Sequence, residues 1–183
     1  MKPKNHSIAI WAIGLAMTYS ACTTPQKWSE ESKEGYVRVT QKGGATLGYA
    51  PSSGVKLIED DGYVFKDLNR NGKLDKYEDW RLGFEERAID LASQLSEEEI
   101  AGLMLYSAHQ QIPAQSSGYG ASTYNGKTLE ESGAKPSDLS DEQKAFLKDD
   151  NLRAVLITKV QSPEVAAQWN NNVQAYVLSL IHI

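Results

Sequence analysis

The sequence has one cysteine, no internal repeat and no excess of basic residues. A single thiol excludes a disulfide framework within the chain. The balance of 19 Lys and Arg against 24 Asp and Glu is acidic, and no run of basic residues is interleaved with aromatics. Nucleic acid is therefore not an expected partner. A P-loop, a Gly-x-Ser-x-Gly elbow and zinc-ligand spacings are all missing. His109 stands alone, without a partner at metal or triad spacing, and reads as loop structure. What remains is ordinary: 40% apolar residues and four tryptophans suffice for a packed core. A length of 183 residues suggests about one domain.

The first residues read as a targeting segment. Lys2 and Lys4 precede the apolar run IAIWAIGLAM, Ile8 to Met17, which is too short for a comfortable membrane span and has the layout of a secretory signal. It ends in Tyr19-Ser20-Ala21-Cys22, similar to a bacterial lipobox in which the cysteine becomes the acylated first residue. Tyr19 departs from the aliphatic residue usual there; the other reading is an ordinary signal with an incidental cysteine. The expectation is a signal peptide over 1–21, lipid attachment at Cys22, and a membrane partnership through that anchor. Removing Lys2 and Lys4 from 19 basic residues leaves 17 against 24 acidic ones, a net charge of about −7. Thr23 rather than Asp follows the cysteine, which by resemblance to sorting in enteric bacteria implies the outer membrane, or otherwise the periplasm. Residues 22–54, rich in Thr, Ser, Gln, Lys and Gly, read as a tether without enough apolar surface to order itself.

The most specific chemistry lies in KDLNRNGKLDKYEDW, residues 66–80. Asp67, Asn69, Asn71, Asp75 and Glu78 occupy positions 1, 3, 5, 9 and 12 of an EF-hand-like loop, with Gly72 at position 6. Lys73 at position 7 needs to contribute only its backbone carbonyl. The donor set suits a structural Ca²⁺; the alternative is an Asn/Gly-rich turn that binds nothing. Upstream, Asp61-Gly62 between VKLIE and YVF signals a hairpin, so the loop is entered from a strand. A sensor is entered from a helix and works in pairs. One loop with no Met-rich groove favours a clip over a switch.

Beyond the loop, Trp80, Phe84, Ala88, Leu91 and Leu95 recur at helical steps, with Gly83 as a break. Glu78 reads as a helix start, Asp79 as a first-turn residue and Trp80 as core rather than a sugar-stacking face. Ser96 and Glu99 form a capping box for a helix whose apolar face is Ile100, Leu103 and Met104. Residues 107–139 read as a long loop. Ser140 caps a helix over 141–148, Leu152 to Thr158 has a buried-strand pattern, and Ser162-Pro163 opens a helix with Ala166, Trp169, Val173 and Tyr176 on one face.

Three segments, DLNRNGKLDKYEDWRL, ERAIDLASQLSEEEIAGLM and LRAVLITKVQSPEVAAQWNNNVQAY, resemble in order the N-terminal region of family 3 glycoside hydrolases. These are β-glucosidases and β-xylosidases of Bacteroides-like bacteria. The resemblance spans most of residues 55–177. It implies an α/β fold in which this chain supplies the lead-in and first βα unit of a (β/α)8 barrel. It also implies retaining, exo-acting hydrolysis of terminal β-linked glucose or xylose, with a β-linked oligosaccharide as substrate. The expected organisation is 55–105 for the hairpin, metal loop and lead-in helices, 106–150 for a loop and helix, and 151–177 for the βα unit. On this reading the last helix exposes its apolar face for want of the remaining barrel. The final LSLIHI, residues 178–183, is what CTG-TCT-CTT-ATA-CAC-ATC encodes, matching a transposon-end adapter of sequencing libraries. The expectation is that the natural chain departs at about Val177; at face value the run reads as a buried strand or helix end.

Retaining glycosidases need two carboxyl groups roughly 5 to 5.5 Å apart. In the family resembled, the nucleophile is an aspartate, often in a Ser-Asp-Trp context late in the barrel. Glu78-Asp79-Trp80 precedes the barrel and is not that motif. Glu97-Glu98-Glu99 and Asp149-Asp150 read as helix-end or solvated charge, so no catalytic residue is expected in this chain. Thr158 to Gln161 would lie at the strand end where barrel active sites form. The rival reading is a non-catalytic calcium-binding surface lipoprotein.

Overall fold

The computed structural model describes residues 25–180. The signal segment, Cys22 and residues 181–183 lie outside it. Among the described residues no helix is long and apolar enough to cross a membrane.

The segment expected to be a tether is folded. Strands β1 (Trp28–Lys33), β2 (Tyr36–Gln41) and β3 (Leu47–Tyr49) form an antiparallel sheet in the order β1-β2-β3. Composition misled because the anchoring is polar and distant. Gln41 is buried, accepts from the Val64 amide at 2.8 Å and donates to the Val64 carbonyl at 3.0 Å. Its carboxamide thus pairs with a peptide group as a neighbouring strand would. Val39, fully buried, adds the apolar contact that the alternation of β2 provides.

β4 (Lys56–Asp60) and β5 (Tyr63–Asp67) form the expected hairpin, with Asp60 paired to Tyr63. Its turn residues Asp61 and Gly62 have φ of 49° and 73°. Two successive left-handed residues match the twist of the flanking strands, which is why Asp-Gly serves there.

The two lead-in helices keep their expected starts after Gly83 and Ser96 but not their expected buried faces. Helix α1 (Phe84–Ala92) begins after Gly83 and buries no residue; Phe84 is 88% exposed. Trp80 lies before it in a turn, stacked on Phe65 at 5.2 Å and edge-on to Tyr63 at 5.4 Å, with its Nε1 donating to the Val64 carbonyl at 3.1 Å. It therefore belongs to the hairpin's core and not to a helix face. Asp79 ends a single 3-10 turn, Lys76–Glu78, rather than starting an α-helix. Helix α2 (Glu97–Leu103) has the Ser96–Glu99 capping box, yet Met104 is 80% exposed. α2 instead approaches the chain through Gly102, where a Cβ would lie 2.6 Å from the carbonyl oxygens of Asp150 and Asn151.

Within the expected long loop lie β6 (Gln110–Ile112) and the short α3 (Leu129–Ser132). α4 (Asp141–Lys148) is capped by Ser140. β7 covers Ile157–Val160, later than the apolar run suggests, and pairs parallel with β6. The earlier part of that run packs instead, through Leu152 and Val155. α5 (Pro163–Ser179) follows, capped by Ser162. Its face is not bare: Trp169 and Val173 are buried with Ile112, Leu139, Phe146, Leu147 and Leu152. Trp169 Nε1 donates to Gln143 at 3.0 Å, and Gln143 donates to Gln110, so the indole N–H is satisfied inside this core. The described residues contain no closed barrel; β7 is exposed along its whole length.

Candidate metal centre

The loop leaves β5 at Asp67, which is 2% exposed, and ends at Glu78, which is 5% exposed. Between them the chain turns through Arg70 and Gly72, with φ of 60° and 73°. Gly72 tolerates this at no steric cost, whereas Arg70 is strained there. Each polar side chain then closes a short ring on the backbone. Asp67 Oδ2 accepts from the Gly72 amide at 3.1 Å, Asn69 Oδ1 from Asn71 at 3.1 Å, and Asn71 Oδ1 from Lys73 at 2.7 Å. Glu78 Oε1 accepts from the Leu68 amide and the Tyr77 hydroxyl, and Oε2 from the Asp75 amide. The side-chain amides of Asn69 and Asn71 both donate to Asp75 Oδ2 at 2.7 Å.

Thus Asp67, Asn69, Asn71, Asp75 and Glu78 are brought into one folded loop. Among the described residues, however, no three carboxylates, histidines or cysteines converge as a metal cluster. The donor set is mixed, with two carboxamides and the Lys73 carbonyl completing the expected shell. Two observations bear on its fit to a cation. Asp67 Oδ1 is buried without a hydrogen-bond partner. None of Asp67, Asp75 and Glu78 forms an ion pair with a Lys or Arg of the described residues. Burial pushes the Glu78 carboxyl above its ordinary value, an effect its amide and hydroxyl donors only oppose. Burial, and then Glu78 beside it, raises the Tyr77 hydroxyl as well. Buried acidic oxygen without a counter-charge is costly. The donor types are those that a hard, oxygen-seeking ion such as Ca²⁺ takes, and Asp67 Oδ1 is the one left without a hydrogen-bond partner.

Arg70 ties the loop to distant parts of the chain. Its Nη2 donates to the Ser53 carbonyl at 2.6 Å and to the Leu178 carbonyl, at the end of α5, at 2.9 Å. A cation at a helix C-terminus complements the helix dipole. Gly54 is the partner that allows this, since a Cβ there would lie 3.1 Å from the guanidinium. Neither Arg70 nor Gly54 stood out in the sequence, because the two meet across the β4-β5 hairpin rather than within one element.

Asp79 and Trp80, at the end of the loop, have structural partners. Arg81 donates to both Asp79 oxygens, through Nε and Nη2, and also to Asp60 at 2.7 Å. Those hydrogen bonds hold the Asp79 carboxyl below its ordinary value. Both Asp79 oxygens are thus engaged by Arg81. His109 meets Tyr119 edge-on at 6.2 Å, in keeping with loop structure.

No family model matches the chain. It is 50% identical over 70 residues to a periplasmic β-glucosidase/β-xylosidase of Dickeya chrysanthemi. The matched stretch is 38% of this chain and 10% of that protein, so the similarity covers about a tenth of the relative's length.

Proposed function

We propose that this chain is the entry segment of an exported β-glycosidase of the family 3 type, clipped by a structural Ca²⁺ at Asp67, Asn69, Asn71, Lys73, Asp75 and Glu78. The observation that carries the reading is the 50% identity over 70 residues to a periplasmic β-glucosidase/β-xylosidase. The substrate class would be terminal β-linked glucose or xylose on an oligosaccharide, cleaved with retention. The catalytic carboxylate pair would come from barrel strands later in the enzyme. The parallel pairing of β6 with β7, followed by α5, supports a barrel of that kind more than a small calcium module. Parallel strands are almost always parts of larger sheets covered by helices, and the outer edge of β7 is open to receive the next strand. Export would use the signal over 1–21, with a lipid anchor at Cys22 holding the enzyme at the outer membrane.

The test is the native locus. Its product, purified and assayed on nitrophenyl β-glucoside and β-xyloside, should hydrolyse at least one, and replacing the aspartate of a late Ser-Asp-Trp should abolish turnover. A product with no activity on either, or a reading frame that stops soon after Val177, would overturn the proposal. Isolation of the mature protein from detergent extracts, with a lipid-bearing N-terminal peptide, would support the anchor at Cys22.

A further inference from the structure

A groove of about 630 Å³ lies between the N-terminal sheet and α5. That is the size of a small-ligand site, typically about 300–1,000 Å³. One wall is Tyr36 and Tyr49 from β2 and β3; the other is the face of α5 carrying Gln168, Asn171 and Gln174. Lys66 of β5 also lines it. The groove belongs neither to the metal loop nor to the core, since Trp169 and Val173 turn to the other side of α5.

Its chemistry is selective. Asn171 and Gln174 make no side-chain hydrogen bond among the described residues, and each carboxamide offers both donor and acceptor. Tyr36 is 39% exposed, and Tyr49 keeps its ring at the groove while its hydroxyl donates to Glu30 at 3.2 Å. Lys66 has no carboxylate partner among the described residues; its ammonium reaches only the Gly48 carbonyl, at 3.5 Å. Burial lowers the Lys66 pKa, so its charge lacks full solvation. Amphipathic rings, bivalent amides and one under-solvated donor together match a ligand with apolar C–H faces and many hydroxyls. A nucleotide would call for more positive charge than one lysine, and an apolar ligand would leave the amides unpaired.

We propose that this groove binds an oligosaccharide, with Tyr36 and Tyr49 against the sugar rings and Asn171, Gln174 and Lys66 on their hydroxyls. This rests on the glycosidase reading for the identity of the sugars.

The experiment titrates the 183-residue chain with cellohexaose and with xylohexaose, following backbone amides by NMR. Saturable shifts are expected at residues 35–36, 48–52 and 168–175. Tyr36→Ala and Asn171→Ala should each weaken binding by roughly fivefold, as expected for loss of one ring contact or one hydrogen bond. Tyr119→Ala, at an exposed ring away from the groove, should leave it unchanged. No saturable shift with either sugar, or shifts that map elsewhere, would overturn the subsite; should a variant unfold, the map on the unaltered chain decides. Binding needs no catalytic carboxylate. Thus a locus product that fails to hydrolyse while this groove still binds refutes the hydrolase reading alone.

Discussion

At the residue scale, two carboxylates twelve positions apart, Asp67 and Asp79, have opposite fates. Asp67 is buried with an oxygen that nothing satisfies, while Asp79 is doubly bonded by Arg81. Under the proposed metal reading, calorimetric titration with Ca²⁺ gives a one-site isotherm that Asp67→Ala eliminates. An unaltered isotherm in that variant would remove Asp67 from the site. For Asp79 the argument is one of linkage. Its folded-state pKa is depressed, first by the Arg81 hydrogen bonds, so the stability it contributes is present above the unfolded value of about 3.9. That stability is lost as pH falls through the lower folded value. Asp79→Asn should cost about 1–2 kcal/mol near neutrality, less than a fully buried pair because Arg81 remains partly exposed. The gap between the two proteins should close on acidification below the ordinary aspartate range. Denaturant unfolding across pH measures this, and a gap independent of pH would refute it.

At the element scale, the sheet β1-β2-β3 and the hairpin β4-β5 act as one body because of Gln41 and of the close approach of Gly44 to Trp80. A Cβ on Gly44 would lie 2.7 Å from Trp80 Cη2 and 3.1 Å from the Tyr63 ring. Gly44→Ala should therefore destabilise by about 1–3 kcal/mol through overpacking and change the tryptophan fluorescence of the folded state. An alanine variant with unaltered stability and emission would show that the indole moves aside freely. The elements also show what a sequence discloses. Asp61-Gly62, Ser96-Glu99, Ser140 and Ser162-Pro163 were legible because each acts on neighbours within three or four residues. The ordering of residues 28–49 and the true place of Trp80 were not, because they depend on distant partners, such as Gln41 with Val64, 23 positions away, and Gly44 with Trp80, farther still. The spacing of the candidate metal loop disclosed that Asp67 and Glu78 close one turn of chain. What the spacing could not convey is that both Asn amides turn onto Asp75 and that Arg70 leaves the loop altogether.

At the scale of the whole molecule, the chain has a closed core around Trp169 and an open edge at β7. The exposed Leu105 and Tyr106 lie at 57% and 70%, next to the bridge between Tyr106 and Ala154. A short parallel pair of this kind is an incomplete sheet. The expectation that α5 would display Trp169 and Val173 was wrong, since α4 and β6 already cover them. The chain alone should still show no hydrolysis of nitrophenyl β-glucoside, because the carboxylates best placed by sequence are committed to structure: Glu78 to the loop backbone and Asp79 to Arg81. Turnover by the purified 183-residue chain would contradict that assignment directly.

Arg70 reaches out of the loop to the Ser53 carbonyl at 2.6 Å, and on the proposed metal reading an ion that completes the loop would also hold the left-handed backbone at Arg70. Stabilisation by a ligand that binds only the folded state grows with the logarithm of its concentration. Calcium is scarce inside cells and plentiful outside them. On the proposed readings of Ca²⁺ and of export taken together, the loop would therefore add more stability to the chain outside the cell than within it.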